Sequence, residues 1–284
     1  MGCVKPDFSH LVALRVSGRK PPLFCFPGGS GSIFEFADMA TLIGERQSTY
    51  VVNIKSIYES RPHCDIKRLA AVCHQVIKNN QEHGPYYLCG YSFGGVVAYE
   101  LAAMLASRGD DIGLLALVDS VNPALQSSFS MFEAVRFRAT YVADRLGKYA
   151  RNLFRGRIDI LLMDVLTFVR PKLDQISRLR VQSAARMLHK PAAEALQFSE
   201  YVRVGACRGY YPTPYAKRLV LIRSADREPE YATESTLGWH RCATGVIDVH
   251  VVAGGHRNMM ARPQVDYVAE KVMRYLTDDR TSDS

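Results

Sequence analysis

No apolar run in the 284 residues reaches the roughly 18–20 that a membrane-spanning helix needs. The best contender, Ile158–Val169, is too short and holds two aspartates, Asp159 and Asp164. The first twenty residues lack the basic-then-apolar layout of a secretory signal. Met1-Gly2-Cys3 has the shape of an acylation signal, yet Pro6 stands where Ser or Thr is required. Seven cysteines are present, an odd number, and none forms a Cys-x-x-Cys pair or a spaced Cys/His ligand set. Neither a disulfide framework nor a metal site is therefore expected. Cys25 and Cys89 sit in apolar strand-like runs, where a reduced thiol packs as a small hydrophobe, and a cytoplasmic location is expected. No phosphate-cradling Gly-rich loop ends in Lys-Ser/Thr, and Gly29-x-Gly31-x-x-Phe34 breaks the dinucleotide fingerprint at its last glycine. Internal repeats and low-complexity tracts are absent as well. What remains is an ordinary globular composition, 48% apolar and 23% charged, with ample apolar surface for a sizeable core.

The formal charge of +8 is unevenly placed. Between Ser120 and Ala206 stand fourteen Lys and Arg against seven acids, so this middle segment holds nearly the whole excess. Such asymmetry points to an acidic partner near that segment. Nucleic acid does not fit, because no zinc-finger spacing, aromatic RNA-binding signature or recognition-helix pattern accompanies the charge.

Outside the middle segment, short β-branched or aromatic runs alternate with helical patterns. Leu23–Phe26 reads as a strand ending at Pro27-Gly28-Gly29, Phe34–Leu42 as a helix and Tyr50–Ile54 as a strand. In Asp65–Gln81, Ile66, Leu69, Ala70, Cys73, Val76 and Ile77 form one stripe, with Asp65 as N-cap and Gly84-Pro85 as the stop. Tyr86–Gly90 reads as a strand, Phe93–Ser107 as a helix and Leu114–Val118 as a strand. Strands over Arg218–Ile222 and Val246–Val252 and a closing helix over Pro263–Leu276 complete the series. Strands alternating with helices imply crossover connections, hence an α/β domain with a mostly parallel central sheet covered on both faces. The core is expected over 10–122 and 207–278, with a helical insertion over 123–206. Within the insertion, Met131, Val135, Ala139, Val142, Leu146, Tyr149 and Leu153 repeat at three- and four-residue steps. A helix packed on the parent domain accounts for that pattern; a membrane-surface helix is the lesser alternative.

Gly90-Tyr91-Ser92-Phe93-Gly94-Gly95 lies between a strand and a helix, the context that makes Gly-x-Ser-x-Gly a nucleophile elbow. Ser92 must occupy a strained turn with its hydroxyl exposed, and Gly90 and Gly94 remove side chains that would collide where strand and helix approach. The Phe93 amide, at the helix N-terminus, then points toward a developing oxyanion. A serine nucleophile needs a base, and the base an orienting acid. Of the histidines, His256 is best placed, after the strand Val246–Val252 and before the last helix, on a Gly254-Gly255 loop that lets the imidazole reach the carboxyl edge of the sheet. His250 alternates within that strand as a packed or surface residue. Two aspartates compete for the third role. Asp119 ends the strand beside the nucleophile strand, Asp226 follows Arg218–Ile222, and either gives the chain order Ser, Asp, His. Spacing alone leaves both open. A second oxyanion amide is expected from Pro27-Gly28-Gly29-Ser30-Gly31, whose glycines permit close approach to a reacting carbonyl.

The stretches PLFCFPGGSG, GPYYLCGYSFGGVVAYELAAMLASRGDDIGLLALVDS, GYYPTPY and VVAGGHRNMMARPQV together resemble the thioesterase domains that end polyketide synthases and nonribosomal peptide synthetases. The resemblance runs from about Leu11 to Leu276 and is weakest in the insertion. It implies an α/β-hydrolase fold, with the insertion as a variable lid over an acyl channel. It also implies a reaction on an acyl, polyketide or peptidyl thioester carried by the phosphopantetheine arm of an acyl or peptidyl carrier protein, with no bound cofactor. Ser92 matches the nucleophile, His256 the base, and Asp119 the acid in preference to Asp226. The amides of Gly29 and Phe93 match the oxyanion hole. Such domains usually follow a carrier in one chain, whereas this sequence starts almost at the domain's beginning, so a carrier acting in trans is expected. Carrier proteins are typically acidic, which suits docking near the basic lid. Two other readings stand beside this one: a lipase-like serine esterase at anionic membranes, and an acyl-shuttling, carrier-docking protein.

Overall fold

The computed structural model describes residues 10–17, 20–61, 64–127, 198, 206–226 and 234–277. All of them belong to one of the two units into which the chain divides, comprising 1–128, 198–227 and 231–284. The insertion expected over 123–206, including the Met131–Phe154 pattern, lies outside the described residues apart from 123–127, 198 and 206.

Seven strands form one sheet: β1 (Leu11–Arg15), β2 (Leu23–Phe26), β3 (Thr49–Val52), β4 (Tyr86–Tyr91), β5 (Ile112–Val118), β6 (Leu219–Asp226) and β7 (Ile247–Gly255). Their spatial order is β1-β3-β2-β4-β5-β6-β7. Among the described strands only β1 runs antiparallel, against β3, and every other pair is parallel. Among the described residues the helices are α1 (Ala37–Ile43), α2 (Ile54–Ser60), α3 (Ile66–Lys78), α4 (Phe93–Ser107), α5 (Pro123–Ser127) and α6 (Gln264–Thr277).

Side-chain alternation divides the strand residues between two cores. On one face Cys25, Val51, Cys89, Ala116, Val118, Val220 and Ile222 pack with Met39 and Ile43 of α1 and Val265, Val268 and Val272 of α6. On the other, α4 lies against β2, β4 and β5, with α3 packed against α4. Buried on nearly all sides, α4 carries one charged residue, Glu100, which is 4% exposed. That carboxylate accepts from the Tyr210 hydroxyl (2.8 Å), the Thr213 amide (3.2 Å) and the Thr213 hydroxyl (2.7 Å). The GYYPTPY segment is thus a strap that satisfies a buried acid.

Several sequence expectations are corrected. The helix expected over Phe34–Leu42 is a 3-10 turn, Ile33–Phe36, followed by α1. The strand expected over Tyr50–Ile54 ends at Val52, because the Asn53 side chain accepts from the Ser56 amide at 3.1 Å and starts α2. Asp65 caps α3 as expected, accepting from the Arg68 amide at 2.8 Å, but the helix stops at Lys78, well before Gly84. Both late strands run further than their apolar runs, to Asp226 and to Gly255. Asp226 therefore lies at a strand end and not in a following loop. Likewise no free loop carries His256; it opens a 3-10 turn directly after β7.

Gly94 shows how tightly β2 and α4 approach. A Cβ there would overlap the Phe26 and Pro27 carbonyl oxygens, and one at Gly90 would overlap the backbone of Gly94 and Gly95. Backbone cannot rotate away as a flexible side chain can. Gly94→Ala should cost about 3 kcal/mol or more, the upper range for overpacking. A urea midpoint equal to that of the wild type would show the contact to be slack.

Candidate active site

Ser92 stands between the last residue of β4 and the first of α4, at φ 52 and ψ −119. A non-glycine residue in that region stores about 1–3 kcal/mol of strain, which persists only where the surroundings enforce it. Here the Ser92 amide donates to the Val118 carbonyl at 2.9 Å, and the Ser92 carbonyl accepts from the Gly95 amide at 3.0 Å. The strand and the helix therefore hold the turn from both sides.

The Ser92 hydroxyl lies 3.1 Å from Nε2 of His256, and Nδ1 of the same imidazole lies 2.8 Å from Oδ2 of Asp119. Asp119 also has a positive φ, 47°, immediately after β5, and its amide donates to the Ile222 carbonyl at 2.7 Å. Its side chain is 3% exposed, whereas that of His256 is 48% exposed. A carboxylate this buried needs donors. Ser224 on β6 supplies them, its amide at 2.8 Å from Oδ1 and its hydroxyl at 2.9 Å from Oδ2. With Nδ1–H directed at Asp119, Nε2 is left as the acceptor facing the Ser92 hydroxyl.

Tyr91 steadies the imidazole from below. Its ring stacks on that of His256 at 5.3 Å between centroids, and its hydroxyl donates to the His256 carbonyl at 2.8 Å. Burial, and then the negative charges of Glu35 and Asp119, push the Tyr91 phenol well above its ordinary value, so it stays a donor.

Three residues singled out in the sequence, Ser92, Asp119 and His256, are thus brought together at the carboxyl ends of β4, β5 and β7. Asp226 is not part of that chain. It pairs with Gly255 at the end of β6 and is exposed, and among the described residues no hydrogen bond or ion pair joins it to His256. Gly28 lies over the Tyr91 ring, so the Gly28–Gly31 loop sits beside the Ser92 turn. His250 instead bonds the Tyr275 hydroxyl at 2.9 Å, away from this group. Sequence reasoning missed Ser224 and Tyr91. Ser224 is a polar residue near the end of an apolar run, and Tyr91 is the variable position of Gly-x-Ser-x-Gly; neither pattern signals a role.

The thioesterase domain family model matches residues 21–276. The chain belongs to that family. Curated relatives of this thioesterase domain are much larger proteins. Malpibaldin synthetase of Mortierella alpina is 32% identical over 115 residues, 40% of this chain and 2% of the relative. Enterobactin synthase component F of Escherichia coli (strain K12) is 34% identical over 123 residues, 42% of this chain and 9% of the relative. The nonribosomal peptide synthetase acyN of Ascocoryne sarcoides is 22% identical over 287 residues, 96% of this chain and 30% of the relative. The chain thus spans less than a third of each. Among solved structures, the NocB thioesterase domain superposes with a TM-score of 0.61 at 21% identity, covering 94% of this chain and 99% of that one. A four-domain nonribosomal peptide synthetase superposes at 0.65 with 19% identity, covering 93% of this chain and 20% of that one. At such identities the likeness is one of fold, the α/β-hydrolase fold of thioesterase domains.

No cysteine among the described residues of this thioesterase domain is exposed. Cys25, Cys64, Cys73, Cys89 and Cys242 are buried and Cys207 half-buried, all as free thiols. Burial pushes Cys207 up to about 11 and Cys89 up to about 12, far from the thiolate range. No group of three or more His, Cys, Asp or Glu among the described residues is arranged to hold a metal ion. Nor is any described helix long and apolar enough to cross a membrane.

Proposed function

We propose that this thioesterase domain releases an acyl, polyketide or peptidyl chain from the phosphopantetheine arm of a carrier protein, through a covalent ester on Ser92. The observation that carries the reading is the continuous relay from the Ser92 hydroxyl through His256 to Asp119, at 3.1 and 2.8 Å. In the first step the Ser92 oxygen adds to the thioester carbonyl carbon while Nε2 of His256 takes its proton. The imidazolium so formed is stabilised by Asp119, whose charge is held by Ser224. The carbonyl oxygen becomes an oxyanion, received by the amides of Phe93, at the start of α4, and of Gly29, on the adjoining loop. Collapse breaks the carbon–sulfur bond, and His256 returns its proton to the departing pantetheine sulfur. Water, or a hydroxyl or amine of the chain itself, then attacks the ester with His256 as base, giving a free acid or a ring. No cofactor of the domain's own enters these steps; the pantetheine belongs to the partner.

The synthetases among its relatives support a carrier-protein partner, and the net positive charge of the segment 123–206 suits an acidic one. Free thiols suit a reducing cytoplasm. A panel of acyl-pantetheine thioesters and matched oxygen esters, read by intact-protein mass and by released acid, tests the proposal. Adducts or acid from thioesters only are expected. Turnover confined to oxygen esters overturns it in favour of a lipase-like esterase.

A further inference from the structure

Residues 28–31 form a tight turn closed by the Gly31 amide donating to the Gly28 carbonyl at 3.0 Å, with Gly31 at φ +67. Both ends of its outer side are held by one carboxylate. Glu35 Oε2 accepts from the Gly28 amide at 2.7 Å, and Oε1 accepts from the Ser30 hydroxyl at 2.6 Å. The Ser30 oxygen in turn accepts from the Ser32 amide at 2.9 Å. Glu35 itself is set on a firm base, because its neighbour Phe36 is fully buried in the core at the end of the 3-10 turn. None of the hydrogen bonds among the described residues uses the amide of Gly29, the residue between the two clasped positions.

A carboxylate is a poor neighbour for a developing oxyanion unless its charge is consumed by donors. Here one amide and one hydroxyl consume it at short, charge-assisted distances, and the same two bonds fix the orientation of the peptide between them. We infer that Glu35 is a positioning residue: it clasps the 28–30 loop so that the Gly29 amide is pre-aimed at the oxyanion. This rests on the serine mechanism proposed above. Preorganised donors act because they need no rearrangement as charge develops, so loosening the loop should slow the chemical step and leave binding nearly unchanged.

The test uses a small alkyl fluorophosphonate, whose phosphoryl oxygen occupies the place of the oxyanion. The Ser92 oxygen attacks phosphorus, the phosphorus–fluorine bond breaks, fluoride leaves and His256 takes the serine proton. Labelling is followed by intact mass to give a maximal rate and a half-saturating concentration. Glu35→Ala should lower the maximal rate about 10- to 100-fold with half-saturation within about threefold. Glu35→Gln keeps an acceptor for Gly28 and a donor for Ser30, and should recover to within about threefold of the wild type. Ser30→Ala should cost about threefold, and nothing further in the Glu35→Ala background. Wild-type rates in Glu35→Ala or in Ser30→Ala overturn the clasp, as does Glu35→Gln being as slow as Glu35→Ala. If the wild type itself takes no label at Ser92, the serine mechanism falls, and the clasp with it.

Discussion

Ser92→Ala should lower thioester turnover by about 10⁴-fold or more and abolish the acyl adduct on the protein, while leaving the fold intact. Removing the nucleophile of such a relay leaves only what binding and the oxyanion donors contribute. The strain at φ 52 is a property of the backbone there, enforced by the Val118 and Gly95 hydrogen bonds, and alanine inherits it. Among the described residues the side chain makes a single hydrogen bond, to His256, so thermal unfolding should move little. Glycine at the same position should raise the midpoint, since it relieves the strain of a positive φ. Retained turnover in Ser92→Ala would place the chemistry elsewhere.

Asp119→Asn is the second large effect, with a loss of about 10⁴-fold in kcat expected against less than about threefold for Asp226→Asn. The imidazole's tautomer is what changes. Asp119 accepts at 2.8 Å from Nδ1 of His256, which leaves Nε2 free to take the serine proton. An amide whose nitrogen faces Nδ1 donates instead, drawing the ring proton to Nε2 and turning the base into a donor. Ser224 favours that damaging orientation, because its backbone amide donates to Oδ1 at 2.8 Å and so selects the Asn oxygen for its own side. Asp226, exposed at the end of β6, orients nothing in the relay. The opposite ranking would move the acid to β6.

Local chemistry was legible in the residues themselves. The helix Phe93–Ser107 was legible because its apolar run starts directly after the elbow serine, where the motif requires a helix. The roles of Gly90 and Gly94 followed from the elbow motif, since a strand and a helix joined by one residue must nearly touch. His256 was legible from its place between a late strand and the last helix, although the loop expected to carry it is strand up to Gly255. Short elements were harder to see. β1 has only five residues and a pattern with no buried face, and α2 begins from an Asn cap inside what reads as an apolar strand.

The sequence by itself determined the alternation of strands and helices and the tight turn at Ser92, both set by residues close in the chain, and it singled out Ser92 and His256 as candidates. It left the choice between Asp119 and Asp226 open at the level of spacing, and only the resemblance to a family favoured one. The tertiary structure decided which of them faces the imidazole. That choice depends on β6 lying between β5 and β7, which puts Ser224 beside Asp119 and turns Asp226 outward. The clasp of Glu35 and the stacking of Tyr91 were decided in the same way. Side chains whose partners lie on other strands or across a loop acquire their roles only when the sheet brings those partners within hydrogen-bonding distance, and no local pattern encodes that.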